Sequence, residues 1–109
     1  AFKGFSTLDS TLQYMTSTIE CTEEFIASCP SVAHIDGTAR PQIIKKSEDP
    51  LMWNILDSWE KLSGEMSLVN TSFNAHEEPI VCNVNDCLKS LESGMIDILY
   101  LGNKRIKRK

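Results

Sequence analysis

Apolar residues recur at helical spacing most clearly between Asp49 and Gly64, where Met52, Ile55, Leu56, Trp59 and Leu62 fall on one face of a 3.6-residue period. Asp49 can cap that helix, and Pro50 fits its first position, where the missing amide would have no partner anyway. Gly64 stands where a helix commonly ends in a left-handed turn. The spacing predicts a helix over 50–63. A second begins beyond Asn83, with Val84, Cys87, Leu88 and Leu91 as its apolar face; Asp86, three residues after the cap, completes a capping-box-like pair, and Ser93-Gly94 ends it. The rest of the pattern is shorter in range. The Thr-rich stretch from Tyr14 to Glu24, with Met15, Ile19 and Phe25 as apolar members, reads as a strand. Pro30 breaks it, and Val32–Ile35 reads as a short strand entering the turn Asp36-Gly37-Thr38. Gln42–Lys45 resumes an extended apolar segment, Met66–Val69 is strand-like, and Met95–Leu101 is a strand bounded by Gly102-Asn103. Ala1–Leu12 shows no period and reads as a linker, a domain edge or a frayed helix. Strands alternating with helices predict an α/β (α+β) class, a mixed β-sheet carrying two main helices.

Size and charge narrow the picture. At 109 residues there is room for one small core. A net charge of −4 gives no electrostatic reason to expect a nucleic-acid partner. The basic tail, residues 104–109, holds five of the eleven Lys and Arg residues; it suits either an anionic surface or, as the preferred reading, a solvated and frayed terminus. No apolar run approaches the ~20 residues that span a bilayer, and no signal-peptide pattern opens the chain, so a cytoplasmic location is expected and no membrane partner. Cys21, Cys29, Cys82 and Cys87 lack the spacing of a CxxC framework, and reduced, mostly buried thiols without a metal site are expected.

Two polar loops carry the candidate chemistry. In His34-Ile35-Asp36-Gly37-Thr38-Ala39-Arg40-Pro41-Gln42, a glycine stands beside a hydroxyl and a guanidinium, a combination suited to oxyanions: Gly37 allows close backbone approach, Thr38 donates, and Arg40 offers a planar fork. A capped turn with a surface arginine would have the same sequence. In Asn70-Thr71-Ser72-Phe73-Asn74, two hydroxyls and two carboxamides supply uncharged donors and acceptors of the kind a nucleotide or phosphate pocket uses, although a Ser/Thr-rich turn fits as well. Phe73 reads as a packed anchor, and His76, beside Glu77 and Glu78, as a solvated loop histidine.

Taken together in this order, the loops resemble two motifs of carbamoyltransferases of the nodulation-protein-U and cephem-carbamoyltransferase kind. His34–Gln42 is similar to the family's His-(Val/Ile)-Asp-Gly-Thr-(Ala/Ser)-Arg-x-Gln motif. Asn70–Asn74, with Glu78-Pro79-Ile80-Val81 behind it, resembles Asn-Thr-Ser-Phe-Asn-x-x-Gly-Glu-Pro-(Ile/Val)-Val. The Asp49-Pro50 helix between the motifs, Val84-Asn85-Asp86-Cys87 and Ile96-Asp97-Ile98-Leu99 after them, and Tyr14-Met15 before them fit the same order. The resemblance covers about 14–103 and implies the C-terminal portion of a YrdC-like carbamoyltransferase C-terminal domain, working with an N-terminal kinase-like, metal-binding domain.

In that family the C-terminal domain joins carbamoyl phosphate to ATP, giving carbamoyl adenylate and pyrophosphate, and the carbamoyl group then passes to an acceptor hydroxyl. Carried over by position, the resemblance implies Arg40 and Ser72 as the catalytic pair holding phosphate or adenylate. His34, Asp36, Gly37, Thr38, Asn70, Thr71 and Asn74 would shape substrate and nucleotide binding, with ATP and Mg²⁺ as the expected cofactors. The strands before the two loops are expected to share one sheet and release both loops at a common edge. Glu77 stands where the family usually has glycine. The family's upstream Gly-Pro-Arg-Ala-Leu-Gly-Asn-Arg and Lys-x-Arg-Glu-x-Phe-Arg-Pro motifs are missing, so the chain is expected to be a fragment, inactive alone and prone to self-association. A non-catalytic nucleotide- or partner-binding module is the alternative, and an RNA-binding adaptor a third reading.

Overall fold

A computed structural model describes residues 2–3 and 10–108. The chain forms two compact units, Ala1–Val69 and Asn70–Lys109. Its class is α+β, and among the described residues its strands form two separate antiparallel pairs.

In the first unit, β1 (Ile19–Glu20) pairs with β2 (Thr38–Ala39), Ile19 opposite Ala39 and Glu20 opposite Thr38. Phe2 adds a bridge to Cys21, and the Lys3 amide donates to the Glu20 carbonyl at 3.0 Å. Part of the linker or domain edge expected over residues 1–12 lies outside the described residues; the described Phe2 and Lys3 are paired with the sheet. Leu12, Cys21 and Ala39 are buried here, and Leu12 is only 1% exposed. A leucine so enclosed contributes roughly 1.5–3 kcal/mol through lost water contact.

The strand expected over 14–24 shrinks to two residues because its C-terminal half becomes a helix, α1 (Glu23–Ser28). Thr22 is extended at φ −77 and ψ 153 and accepts a bond from the Phe25 amide, while Glu23 and Glu24 sit at the positive end of the first turn. A Thr-Glu-Glu cap outweighed the β-propensity of the threonines. Val32–Ile35 is likewise no strand: Pro30–Val32 form a 3-10 turn, and the chain bends at residues 35–37. The segment 42–45 makes one ladder-like bond, from the Ile43 amide to the Leu12 carbonyl.

The helix expected over 50–63 forms as α2 (Pro50–Ser63). Asp49 accepts from the Met52 amide at 2.9 Å, and Gly64 closes the helix at φ +80 with its amide on the Glu60 carbonyl. No α2 side chain is buried; Trp53 and Leu56 are half-buried, while Leu51, Ile55, Trp59 and Leu62 line an open apolar hollow with Leu68. Residues 66–69, expected as a strand, are irregular, with Met66 and Val69 exposed. The Cys29 thiol donates to Glu65 at 2.7 Å and ties the end of α1 to the segment leaving α2.

The second unit holds α3 (Val84–Glu92), capped by Asn83 as the pattern requires: Asn83 Oδ1 accepts from the Asp86 amide at 3.0 Å, and its Nδ2 donates to the Asp86 carboxylate at 2.7 Å. β3 (Ile98–Leu101) and β4 (Lys104–Lys107) form a hairpin through Gly102-Asn103, with Gly102 at φ +58 as a two-residue turn needs. The expected frayed tail is therefore largely a strand. Ile106 pairs with Leu99, which is buried with Leu91, while Lys104, Arg105 and Lys107 stay in water and charge the open edge.

Asp49→Ala is expected to cost about 1 kcal/mol by removing the one side-chain cap of α2. Urea unfolding followed by circular dichroism measures it; an unchanged midpoint would show that the cap contributes nothing.

Candidate functional site

The first loop is closed by its own polar groups. The His34 amide donates to the Thr38 carbonyl at 2.7 Å and the Gly37 amide to the His34 carbonyl at 3.0 Å. Gly37 adopts φ +78, a conformation that side chains with a Cβ resist, and its carbonyl receives the Cys21 amide, joining the turn to the β1–β2 ladder. Asp36 Oδ1 accepts from both the Thr38 amide (3.0 Å) and the Thr38 hydroxyl (2.7 Å). Those two bonds hold the Asp36 carboxyl below its ordinary 3.8, with a smaller contribution from His34. His34 Nδ1 lies 3.0 Å from Thr38 Oγ1. Asp36 and Thr38 thus build the turn, and the Thr38 hydroxyl proton expected for a ligand is already engaged by Asp36. The turn signature Asp-Gly-Thr carried that information.

Arg40 leaves this turn at the end of β2. Thr38 is half-buried and Ala39 buried, while Arg40, one residue past the strand, is exposed. Among the described residues the Arg40 guanidinium takes no hydrogen bond or ion pair.

The second loop, in the other unit, is shaped by Asn74. Its Nδ2 donates to the Ala75 carbonyl at 3.0 Å and the Glu78 carbonyl at 3.1 Å, the Val81 amide reaches the Phe73 carbonyl, and Asn74 Oδ1 is buried without a partner among the described residues. Phe73 is half-buried, in keeping with an anchor. Asn70, Thr71 and Ser72 are exposed, and among the described residues the Thr71 and Ser72 hydroxyls take no hydrogen bond. Glu77 sits at φ +65, and its exposed carboxylate lies 4.0 Å from exposed His76. Neither loop leaves the end of a strand: a 3-10 turn precedes the first and the irregular 66–69 the second, so the expected common sheet edge is absent among the described residues. The cause is local. Pro30 starts a 3-10 turn, and residues 66–69 have no ladder partner among the described residues.

The thiols are free and unevenly exposed. Cys21 is buried, which pushes its thiol above 9.0, Cys29 and Cys87 are half-buried, and Cys82 is exposed beside Asp86. Mostly buried thiols were expected; only Cys21 is enclosed, because Cys82 precedes the cap of α3 at the surface. Among the described residues, no three His, Cys, Asp or Glu side chains are grouped to hold a metal, and no helix is long and apolar enough to cross a membrane.

Fold and loops together define an α+β segment that presents an uncommitted guanidinium and uncommitted hydroxyls on short polar loops. A sequence model of the family described as Carbamoyltransferase C-terminus matches residues 2–108, and the chain belongs to that family. It is similar to nodulation protein U of Rhizobium tropici (38% identical over 87 residues, 80% of this chain and 15% of the relative). It is also similar to nodulation protein NolO of Bradyrhizobium diazoefficiens (32% over 79 residues, 72% of this chain and 14% of the relative). A third similar protein is the 3'-hydroxymethylcephem-O-carbamoyltransferase of Amycolatopsis lactamdurans (31% over 78 residues, 72% of this chain and 15% of the relative). The chain spans about a sixth of the length of the curated relatives it matches.

Two outcomes follow from the loop geometry. A left-handed residue with a Cβ costs roughly 1–2 kcal/mol, and glycine's freedom in the unfolded chain returns about 0.5–1 of that, so Glu77→Gly should stabilise the chain by up to about 1 kcal/mol. Thermal and urea unfolding check it, and destabilisation would refute the strain. The lowered Asp36 pKa makes its contribution complete above the ordinary 3.8 and lost as pH falls through the depressed value. As pH falls below the ordinary 3.8 the wild type should therefore lose stability relative to Asp36→Asn; parallel acid unfolding curves would contradict this.

Proposed function

We propose that the chain is part of an O-carbamoyltransferase and contributes to the pocket that forms carbamoyl adenylate before transfer to an acceptor hydroxyl. Carbamoyl phosphate, ATP and water would yield carbamoyl adenylate, pyrophosphate and phosphate, with the adenylate bond formed at the α-phosphorus as pyrophosphate leaves. The observation that carries this reading is Arg40: an exposed guanidinium with no partner among the described residues, beyond a turn that Asp36 and Thr38 close between them. A planar fork in that state is suited to a phosphate group. The second loop, in its own unit, offers the uncharged hydroxyl donors of Thr71 and Ser72. Family membership and similarity to a protein named as an O-carbamoyltransferase support the reaction class.

The donor set fits phosphate-bearing substrates. Catalysis at a phosphoryl centre rests on positioning and charge stabilisation, and it needs no nucleophilic side chain. Mg²⁺, held largely by the ATP phosphates, would supply charge neutralisation when bound. Arg40 would hold a phosphate through charge-assisted bonds, Ser72 would donate a neutral one, and Asn74 would keep the second loop in shape. In this reading the N-terminal kinase-like domain of the longer enzyme completes transfer, the 109-residue chain is inactive alone, and the reaction is cytoplasmic.

In the complete enzyme, Arg40→Ala should remove roughly 1.5–3 kcal/mol of binding to the phosphate-bearing state, a loss of about ten- to a hundred-fold. Ser72→Ala should cost on the order of 1 kcal/mol. Carbamoyl-phosphate-dependent exchange of pyrophosphate into ATP measures both, with circular dichroism to establish that the variants fold. Wild-type exchange rates in folded Arg40→Ala would remove the guanidinium from the site.

A further inference from the structure

The bonds around Thr38 fix where the His34 proton resides. An ionised carboxylate only accepts, and Asp36 lies 2.7 Å from the Thr38 hydroxyl, whose single proton must occupy that line. Thr38 Oγ1 then has only lone pairs to offer the imidazole nitrogen 3.0 Å away. Nδ1 of His34 is therefore the donor, and in the neutral ring Nε2 carries the free lone pair. His34 is exposed, so this lone pair is open to a ligand.

Placement gives the lone pair a neighbour. His34 bonds Thr38, and Arg40 stands two residues beyond Thr38, exposed, with the buried Ala39 between them. One short turn thus offers an N–H acceptor and a phosphate-binding cation. Carbamoyl phosphate has the matching pair of groups, an NH₂ and a phosphate on either side of one carbonyl carbon. Acetyl phosphate has nearly the same shape with a methyl in place of the NH₂.

We propose that His34 is a specificity-determining residue: its Nε2 accepts an N–H of the carbamoyl group while Arg40 holds the phosphate, and the enzyme thereby distinguishes carbamoyl from acetyl phosphate. The inference rests on the function proposed above. It adds that Thr38 and Asp36 are positioning residues, acting on the substrate only through the tautomer they impose.

The test has a spectroscopic arm and a kinetic arm. Long-range proton–nitrogen correlation spectra of the 109-residue chain at mildly alkaline pH should show His34 protonated at Nδ1 and bare at Nε2, and Thr38→Val should shift it toward the other tautomer. An Nε2–H form in the wild type overturns the proposal without reference to activity. In the complete enzyme, the ratio of kcat/KM for carbamoyl phosphate over acetyl phosphate is measured by pyrophosphate exchange. His34→Phe should lower that ratio about tenfold, the effect of one lost neutral hydrogen bond, by slowing carbamoyl phosphate alone. His34→Gln, which keeps an acceptor, should restore most of it, and Thr38→Val should lower it with His34 intact. An unchanged ratio in folded His34→Phe overturns the role of His34, and if Arg40→Ala still weakens both substrates the proposed function survives. Exchange with neither phosphate in the wild type overturns both.

Discussion

Thr38 has one hydroxyl proton, and the arrangement of the first loop follows from where that proton goes. Asp36 takes it, together with the amide of the same residue, so the turn closes on a single carboxylate oxygen. The bent backbone lets the His34 amide reach the Thr38 carbonyl, and the carbonyl of Gly37 is left to receive Cys21 and anchor the turn to β1 and β2. Arg40 is not drawn into the turn: its guanidinium takes no hydrogen bond or ion pair among the described residues. The loop thus has a part closed on itself, Asp36 with Thr38, and an exposed residue beyond it, Arg40.

The parts of the fold that the sequence revealed are those set by neighbours within one helical turn. Asp49, Pro50 and Gly64 bound α2, and Asn83 with Asp86 starts α3, because caps act on amides two or three residues away. Strands need partners distant in sequence, and there the local pattern misled. The threonines of 16–22 looked like a strand, yet the last of them caps α1; the basic 104–107 looked like a solvated tail, yet Ile106 finds Leu99 and the hairpin forms. Both outcomes were encoded, one in Thr22-Glu23-Glu24 and the other in Gly102-Asn103 between runs with apolar members, but each competed with a compositional signal of similar strength. Of the candidate site, the family resemblance found the loops and their residue types. The division of labour inside them, Asp36 and Asn74 for shape and Arg40 and Ser72 left open, follows from hydrogen-bond partners that a one-dimensional motif does not specify.

Glu77 shows how a departure from a family pattern acquires a physical meaning. The resembling motif has glycine at this position, and the backbone here is left-handed, the region in which glycine alone is unstrained. The loop keeps its shape because Asn74 binds two carbonyls across it and Val81 closes back on Phe73. Those bonds impose the conformation, and Glu77 adopts it at a cost. The substitution is thereby separated into two effects, a backbone strain that belongs to stability and a carboxylate that belongs to electrostatics.

The electrostatic effect bears on the proposed binding of anionic substrates. The chain has a net charge of −4, and the second loop is followed by Glu77 and Glu78, a poor environment for polyphosphates if long-range attraction governed binding. The Glu77 side chain is 87% exposed, and a charge surrounded by water is worth only ~1 kcal/mol even at 4 Å. Beyond ~8 Å physiological salt screens it further. A guanidinium in direct contact with a phosphate contributes more than such a solvated carboxylate subtracts, because the contact includes aligned hydrogen bonds as well as charge. Under the proposed function, phosphate recognition would therefore depend on contact geometry, above all on the exposed guanidinium of Arg40.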